Sequence, residues 1–296
     1  MKTTFGTMGP ASTPNLIRQL ITAICGVTLV AAFLDPLLLK YAGFGLQSLL
    51  SLSAQSIYSL FLWQPFSYLF VLQSMGTLSF GLIISLFFQM FILWMMGSHI
   101  VDRFGSWSFI KLYFGAGICA ALLTLPIYAS SPFMSPYAGP TASLYAIFVV
   151  WALMHQDSQI LLFFIIPVKT KWLLVGGLGA SLLVFISNES VLSLIMLITG
   201  TLFGYLFATF FKGFSSPYPF MSKIDQFFID LGDRVRSPDR WRRKGPKIFD
   251  FKTGEPVESD EEFLDRILSK ISKSGKESLT KKEKTRLDEI SLKKKK

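Results

Sequence analysis

The strongest constraint on this chain is the uneven placement of its charges. Residues 1–212 carry eight Lys or Arg and four acidic residues, whereas residues 213–296 carry the remaining 21 basic and 15 acidic ones. Soluble domains are charged at about a quarter of their positions. The whole chain is charged at only 16%, with mean hydropathy +0.48. The first part therefore reads as a multi-span membrane domain and the second as a water-exposed tail. The net charge of +10 splits into +4 and +6 across that boundary, so the basic balance is a topology signal and no nucleic-acid partner is expected. Cys25 and Cys119 both fall in apolar segments and read as small core residues, not a disulfide. No cofactor or metal site is expected.

Hydropathy divides the membrane part into six candidate spans. They cover residues 16–39, 78–98, 106–128, 141–154, Trp172 to about Ile186, and 191–211. No cleavage site precedes the first, which is expected to be retained. Residues 42–77 are apolar but broken by Gly, Pro and Ser, which predicts a membrane-associated loop with short helices. Residues 160–167 form another apolar run, ending at Pro167. A span needs about 20 apolar residues, so the fourth is too short to cross alone and is expected to sit within the bundle. The fold class expected is an all-α membrane protein. Its divisions are an N-terminal polar segment (1–14), the membrane domain (15–212), a basic linker (213–258) and a helical-hairpin tail (259–296).

Charge sets the orientation. With both termini in the cytoplasm, the inner segments hold Lys2, Arg18, Arg103, Lys111, Lys169, Lys171 and Lys212, and the outer loops hold only Lys40. This puts Thr141 near the outer face. The inner ends of the second and fourth spans carry the two histidines, His99 and His155. The linker has the run Arg240-Trp241-Arg242-Arg243-Lys244 without sustained periodicity, a composition suited to anionic lipid. The tail has two pairs with capping-box spacing, Ser259 with Glu262 and Thr280 with Glu283. Apolar residues follow each at helical spacing, which predicts a hairpin with one apolar, docking face.

The fourth span opens on Ala138-Gly139-Pro140-Thr141-Ala142-Ser143. Pro is tolerated there because the N–H it lacks has no intrahelical partner at a helix start. Two small-residue stripes match in spacing: Ala142 and Ala146 on the fourth span, Gly200 and Gly204 on the sixth. Such stripes let helices approach closely in lipid, so these two spans are expected to pack together.

Six segments in order resemble the rhomboid family of six-span intramembrane serine proteases and their inactive relatives. They are Trp63-Gln64-Pro65-Phe66-Ser67-Tyr68-Leu69-Phe70, Leu93-Trp94-Met95-Met96-Gly97, Phe104-Gly105-Ser106-Trp107-Ser108-Phe109, Leu112-Tyr113, Ile166–Trp172 and Gly204-Tyr205-Leu206. The tail resembles a cytoplasmic extension found on some bacterial rhomboids. The resemblance implies a six-helix bundle with a membrane-associated first loop. It also implies a bacterial inner-membrane, multi-pass location.

In the family, a Ser opening the fourth span attacks the carbonyl and a His in the sixth takes its proton, since a hydroxyl needs a base within reach. A His and an Asn of the second span help hold the oxyanion. Carried over by position, this chain departs at every one. Thr141 stands at the nucleophile position and Leu197 at the base position. Ser85 and Gln89 stand at the oxyanion positions. The acidic residue that follows the second span falls on Val101, beside Asp102. His155 lies 14 residues beyond Thr141, roughly 21 Å along a helix, and His99 is similarly far from Ser85. Lys40 and Glu189 are charged residues near the outer face, but a Lys at a helix end ordinarily snorkels. Ser143 is turned about 200° from Thr141. The sequence thus predicts a pseudoprotease that binds transmembrane segments of client proteins near its second and fifth spans without cleaving them. The alternatives are an active serine-type endopeptidase using Thr141 with another base, and a membrane-anchored adaptor acting through a cytoplasmic partner of the tail.

Overall fold

In the computed structural model, the described residues are 13–236, apart from 55–60, 74–77, 132–133, 157, 163–165 and 219–220, with positions 248–249, 256–257, 263, 267–268, 270, 280, 283 and 287 of the tail. The chain divides into two compact units, Met1–Arg236 and Ser237–Lys296.

The first unit is an all-α membrane bundle. Five helices are long and apolar enough to cross a bilayer: α1 (Asn15–Tyr41), α4 (Phe80–Phe104), α5 (Ser106–Ser130), α7 (Thr170–Ser187) and α8 with its π-helical extension (Val191–Phe211). Shorter helices α2 (Leu46–Leu50) and α3 (Gln64–Ser67), with a 3-10 turn at Tyr68–Phe70, occupy the predicted first loop. The sixth apolar helix, α6 (Thr141–Met154), has only 14 residues.

That short helix is the centre of the fold. Ten of its 14 residues are buried, which is what a helix apolar on every side requires. Its length of about 21 Å falls short of a hydrocarbon core of about 30 Å. It therefore depends on its neighbours to bury its ends. Its tightest seam is with α8, where Gly200 faces Ala142 and Gly204 faces Ala146. A Cβ built on Gly204 would lie 2.6 Å from the Ala146 carbonyl oxygen. The two small-residue stripes read from the sequence meet in this seam. Ser143, wholly buried, donates to the Tyr113 carbonyl of α5 at 2.6 Å and so fixes the other side of α6.

Turn chemistry separates the elements. Gly105, at φ +80°, allows α4 and α5 to be joined by a single residue. Ser79 caps α4 by accepting the Leu82 N–H at 3.2 Å. Asp35 lies inside α1 yet is 2% exposed. Its carboxylate accepts the N–H groups of Leu46 (2.6 Å) and Gln47 (3.3 Å), the orphan donors at the start of α2. Asp35, near the end of α1, thus anchors the first loop.

Two stretches differ from expectation. In the apolar run at 160–167, residues 160–162 and 166–167 lie in paired antiparallel strands, β1 (Gln159–Leu162) with β2 (Ile166–Lys169). The stretch after the membrane domain, read as lacking periodicity, contains helix α9 (Ser222–Arg236).

In the second unit, the described residues include a two-stranded pair, Ile248–Phe249 with Pro256–Val257. The capping box expected at Thr280 is made in both directions: the Thr280 N–H donates to Glu283 Oε2 at 2.8 Å and the Glu283 N–H to Thr280 Oγ1 at 3.4 Å. Lys270 Nζ also meets the Glu283 carboxylate at 3.0 Å. Ser259 and Glu262 lie outside the described residues. Phe263 and Ile267 are buried, four apart, as the apolar face requires.

Candidate functional site

A cavity of about 510 Å³ opens at the N-terminal end of α6. It lies between α4 (Gln89, Ile92, Met96) and α7 (Gly177, Ser181, Phe185), with α6 and Ser193 of α8 behind it. The side wall formed by α7 is loosely held: only 11% of its span is buried, against 44% for α8. The cavity thus sits between the second and fourth of the five long apolar helices, and the fourth, α7, is the least buried of them.

The loop before α6 supplies the polar centre. Tyr137 is held by a two-way backbone bridge to Leu52, 2.8 Å in each direction. Two residues on, Gly139 takes φ +131° and its N–H donates to the Tyr68 carbonyl at 3.0 Å. The Tyr68 phenol in turn donates to the Gly117 carbonyl of α5 at 2.7 Å. This chain of contacts ties the first loop, α5 and the start of α6 together. The Tyr137 phenol is hydrogen-bonded with the side chains of Thr141 and Ser193. Ser190, the residue preceding α8, donates its hydroxyl to Ser193 at 2.7 Å. Burial pushes the Tyr137 phenol up to about 12, so it is a neutral hydrogen-bonding group at pH 7 and not a base.

Of the four positions singled out by sequence, the structure brings two to the cavity. Thr141 and Gln89 line it; Ser85 and Leu197 do not. The Ser85 hydroxyl donates to the Leu82 carbonyl of its own helix at 3.1 Å. Leu197 is 4% exposed, an apolar packing residue, and the wall beside Thr141 comes instead from Ser193, one turn earlier on α8. Gln89 Oε1 is buried and has no hydrogen-bond partner among the described residues. Ser143 is committed to Tyr113. Lys40 and Glu189 are exposed and line no part of the cavity, and Val101 is buried beside exposed Asp102. Among the described residues, the lining includes no Asp, Glu, His, Lys or Arg.

Four polar lining residues were not read from the sequence: Tyr137, Tyr145, Ser181 and Ser193. Tyr145 is hydrogen-bonded with Ser181 across the α6–α7 gap. The available signals were positional. Tyr145 lies one turn after Thr141, and Ser193 one turn before Leu197.

The histidines meet at the opposite end of α6. His99 and His155 have ring centroids 5.7 Å apart in an edge-to-face arrangement. Each Nδ1 bonds a carbonyl one turn back, His99 to Met95 (2.6 Å) and His155 to Trp151 (3.0 Å). Burial, then the charges of His99 and Arg103, hold the His155 imidazole below its usual pKa. Among the described residues, no group of three His, Cys, Asp or Glu converges on one point.

Comparison with known proteins agrees with this architecture. The family model of the Rhomboid domain matches residues 62–214, more than half of the chain. A second model, a family of unknown function (DUF6576), matches residues 255–293 of the tail. No curated protein matches the chain. An all-α bundle of five long apolar helices around a short sixth, matched over these residues, makes the chain an integral multi-pass membrane protein of the rhomboid family.

Proposed function

We propose that this rhomboid is a pseudoprotease: it receives a transmembrane segment of a client protein between α4 and α7 and holds it uncut. The observation that carries the reading is the company of Thr141. Its hydroxyl is hydrogen-bonded with a neutral buried phenol, in a cavity whose described lining has no carboxylate, imidazole or amine. A threonine hydroxyl without a base is a poor nucleophile. Both histidines belong to a pair at the far end of α6, roughly 21 Å from Thr141 along the helix.

The cavity still suits a segment entering from lipid. Its wall α7 has little buried surface, so displacing it sacrifices few contacts. Inside, the unpartnered Gln89 Oε1 is an acceptor, joined by the hydroxyls of Thr141, Ser181 and Ser193. A client helix offers matching donors where its first turn leaves N–H groups unpaired, or where it carries a polar side chain. Both termini are assigned to the cytoplasm of a bacterial inner membrane, following the seven-to-one charge bias of the loops. A second reading rests on the apolar face of the tail, where Phe263 and Ile267 are buried four apart: the tail docks a cytoplasmic partner. Deleting the tail would then abolish that partner's binding while client binding persists.

The test is chemical. Purified protein, in detergent or liposomes, is incubated with a generic rhomboid substrate and a fluorophosphonate probe. The reading expects neither fragments nor adduct. Covalent labelling at Thr141 or Ser143, lost on substitution by alanine there, overturns it.

A further inference from the structure

Helix α9 has three distinct faces. Asp225 and Gly232 are buried and Phe228 and Ile229 half-buried; these four fall at helical spacing and form one face. Asp225 is 2% exposed, and its carboxylate accepts the Tyr205 hydroxyl of α8 and the Ser216 N–H at 2.8 Å. Gly232 lies against the backbone of Phe210, in the π-helical end of the α8 span, so close that a Cβ would sit 2.9 Å from the Phe210 carbonyl carbon. A second face carries Lys223, Gln226 and Asp230, all exposed. The third carries Ile224, Phe227 and Leu231, which are 48%, 62% and 38% exposed. At 100° per residue, this apolar face is centred about 120° from the face that grips α8, between that grip and the polar face.

The segment leading into α9 is strapped across one end of the bundle. Lys212 Nζ donates to Ser108 Oγ of α5 at 3.0 Å. Gln156, just past α6, donates to the Ser215 carbonyl at 2.5 Å. The Tyr218 hydroxyl donates to the Lys171 carbonyl of α7 at 2.8 Å. Trp107 and Trp172 stand beside these ties, 71% and 64% exposed, at the starts of α5 and α7. Exposed tryptophans at span ends mark the depth of the membrane–water interface. The strap therefore holds α9 at the level of that interface and clamps it to the last turn of a span.

We infer that α9 is an interfacial helix whose Ile224–Phe227–Leu231 face is embedded in the acyl chains of the adjoining leaflet. The occupant is lipid, because the face abuts a span end at belt depth and lies between the grip on α8 and a polar face turned about 100° from it, which leaves that polar face to water as in helices that lie in the interface plane. Through Asp225 and Gly232 this foot fixes the depth of α8, the helix that packs on α6.

The unmodified full chain tests this in vesicles of phosphatidylcholine carrying a diazirine on the acyl chain. Cleavage after Lys223 and Arg234 releases Ile224–Arg234 as one peptide for mass spectrometry. The inference expects acyl adducts on Ile224, Phe227 and Leu231, and none on Gln226 or Asp230. Phe227→Glu should lower the adduct yield on this peptide severalfold while leaving labelling of exposed Leu202 in α8 unchanged. An unlabelled 224–234 peptide beside a labelled Leu202 overturns it. So does a protein–protein cross-link at Phe227, which would mean that another chain covers the face.

Discussion

Replacing Gly204 by alanine perturbs the α6–α8 seam directly. The added methyl would lie 2.6 Å from the Ala146 carbonyl oxygen and 2.8 Å from its Cα. Both obstacles are backbone, so no side chain can swing aside. Ordinary contact begins at 3.4 Å, so the two helices must separate by about 0.8 Å, a gap that forfeits a quarter to a half of each dispersion contact it opens. Packing is the main force between helices in lipid, and overpacked cores lose about 1–3 kcal/mol. At about 2–4 °C per kcal/mol for a protein of this size, Gly204→Ala should lower the midpoint of thermal unfolding in detergent by about 2–12 °C. Gly200→Ala, whose methyl would meet the Ala142 carbonyl oxygen more closely still, should cost at least as much, and the double variant should cost less than the sum, because the first methyl has already opened the seam. Gly176→Ala and Gly179→Ala on α7 are the controls. Nothing lies within 4 Å of either new methyl, so they should be neutral or slightly stabilising. Equal midpoints for Gly204→Ala and Gly179→Ala would refute the packing argument.

Three further outcomes are expected. Asp35→Ala leaves the first N–H groups of α2 uncapped and should cost about 1–2 kcal/mol, with faster proteolysis of the first loop as the readout. Ser143→Ala removes the donor to the Tyr113 carbonyl and should cost about 1 kcal/mol in unfolding, without creating or abolishing any probe labelling. The third is a pH dependence. The His155 pKa is depressed in the folded chain, by burial first and then by His99 and Arg103, so the unfolded state binds the proton more readily. This contribution is complete above the ordinary imidazole value of about 6.5 and falls as pH drops through it towards the folded value. His155→Gln should flatten that part of the unfolding profile.

The spans were legible because lipid leaves few options: charge-poor apolar runs must be helices, and α6 was visibly too short to stand alone. The α6–α8 seam was legible too, since Ala142, Ala146, Gly200 and Gly204 share a four-residue spacing. The hairpin at 159–169 was not, because a short apolar run has no period that separates strand from helix. Helix α9 was hidden for a different reason. Its apolar positions divide between two faces, one against α8 and one exposed, and this blurs a single stripe. The site was half legible. Thr141 and Gln89 follow from position within a known pattern, but Tyr137, Ser181 and Ser193 come from three separate segments that only the fold brings together. The meeting of His99 and His155 followed the same logic: sequence placed both at one end of the bundle, and packing made them neighbours.

If the cavity holds a client segment and leaves it whole, a client captured there stays intact. The most direct measurement places a photo-cross-linking benzoylphenylalanine at Phe185, on the α7 wall of the cavity. The chain is then reconstituted with a transmembrane rhomboid substrate, and the products are weighed by intact-mass spectrometry after illumination. One adduct is expected, at the summed mass of this chain and the full-length client, with no free fragments. Cleaved client, whether free or cross-linked, would contradict it.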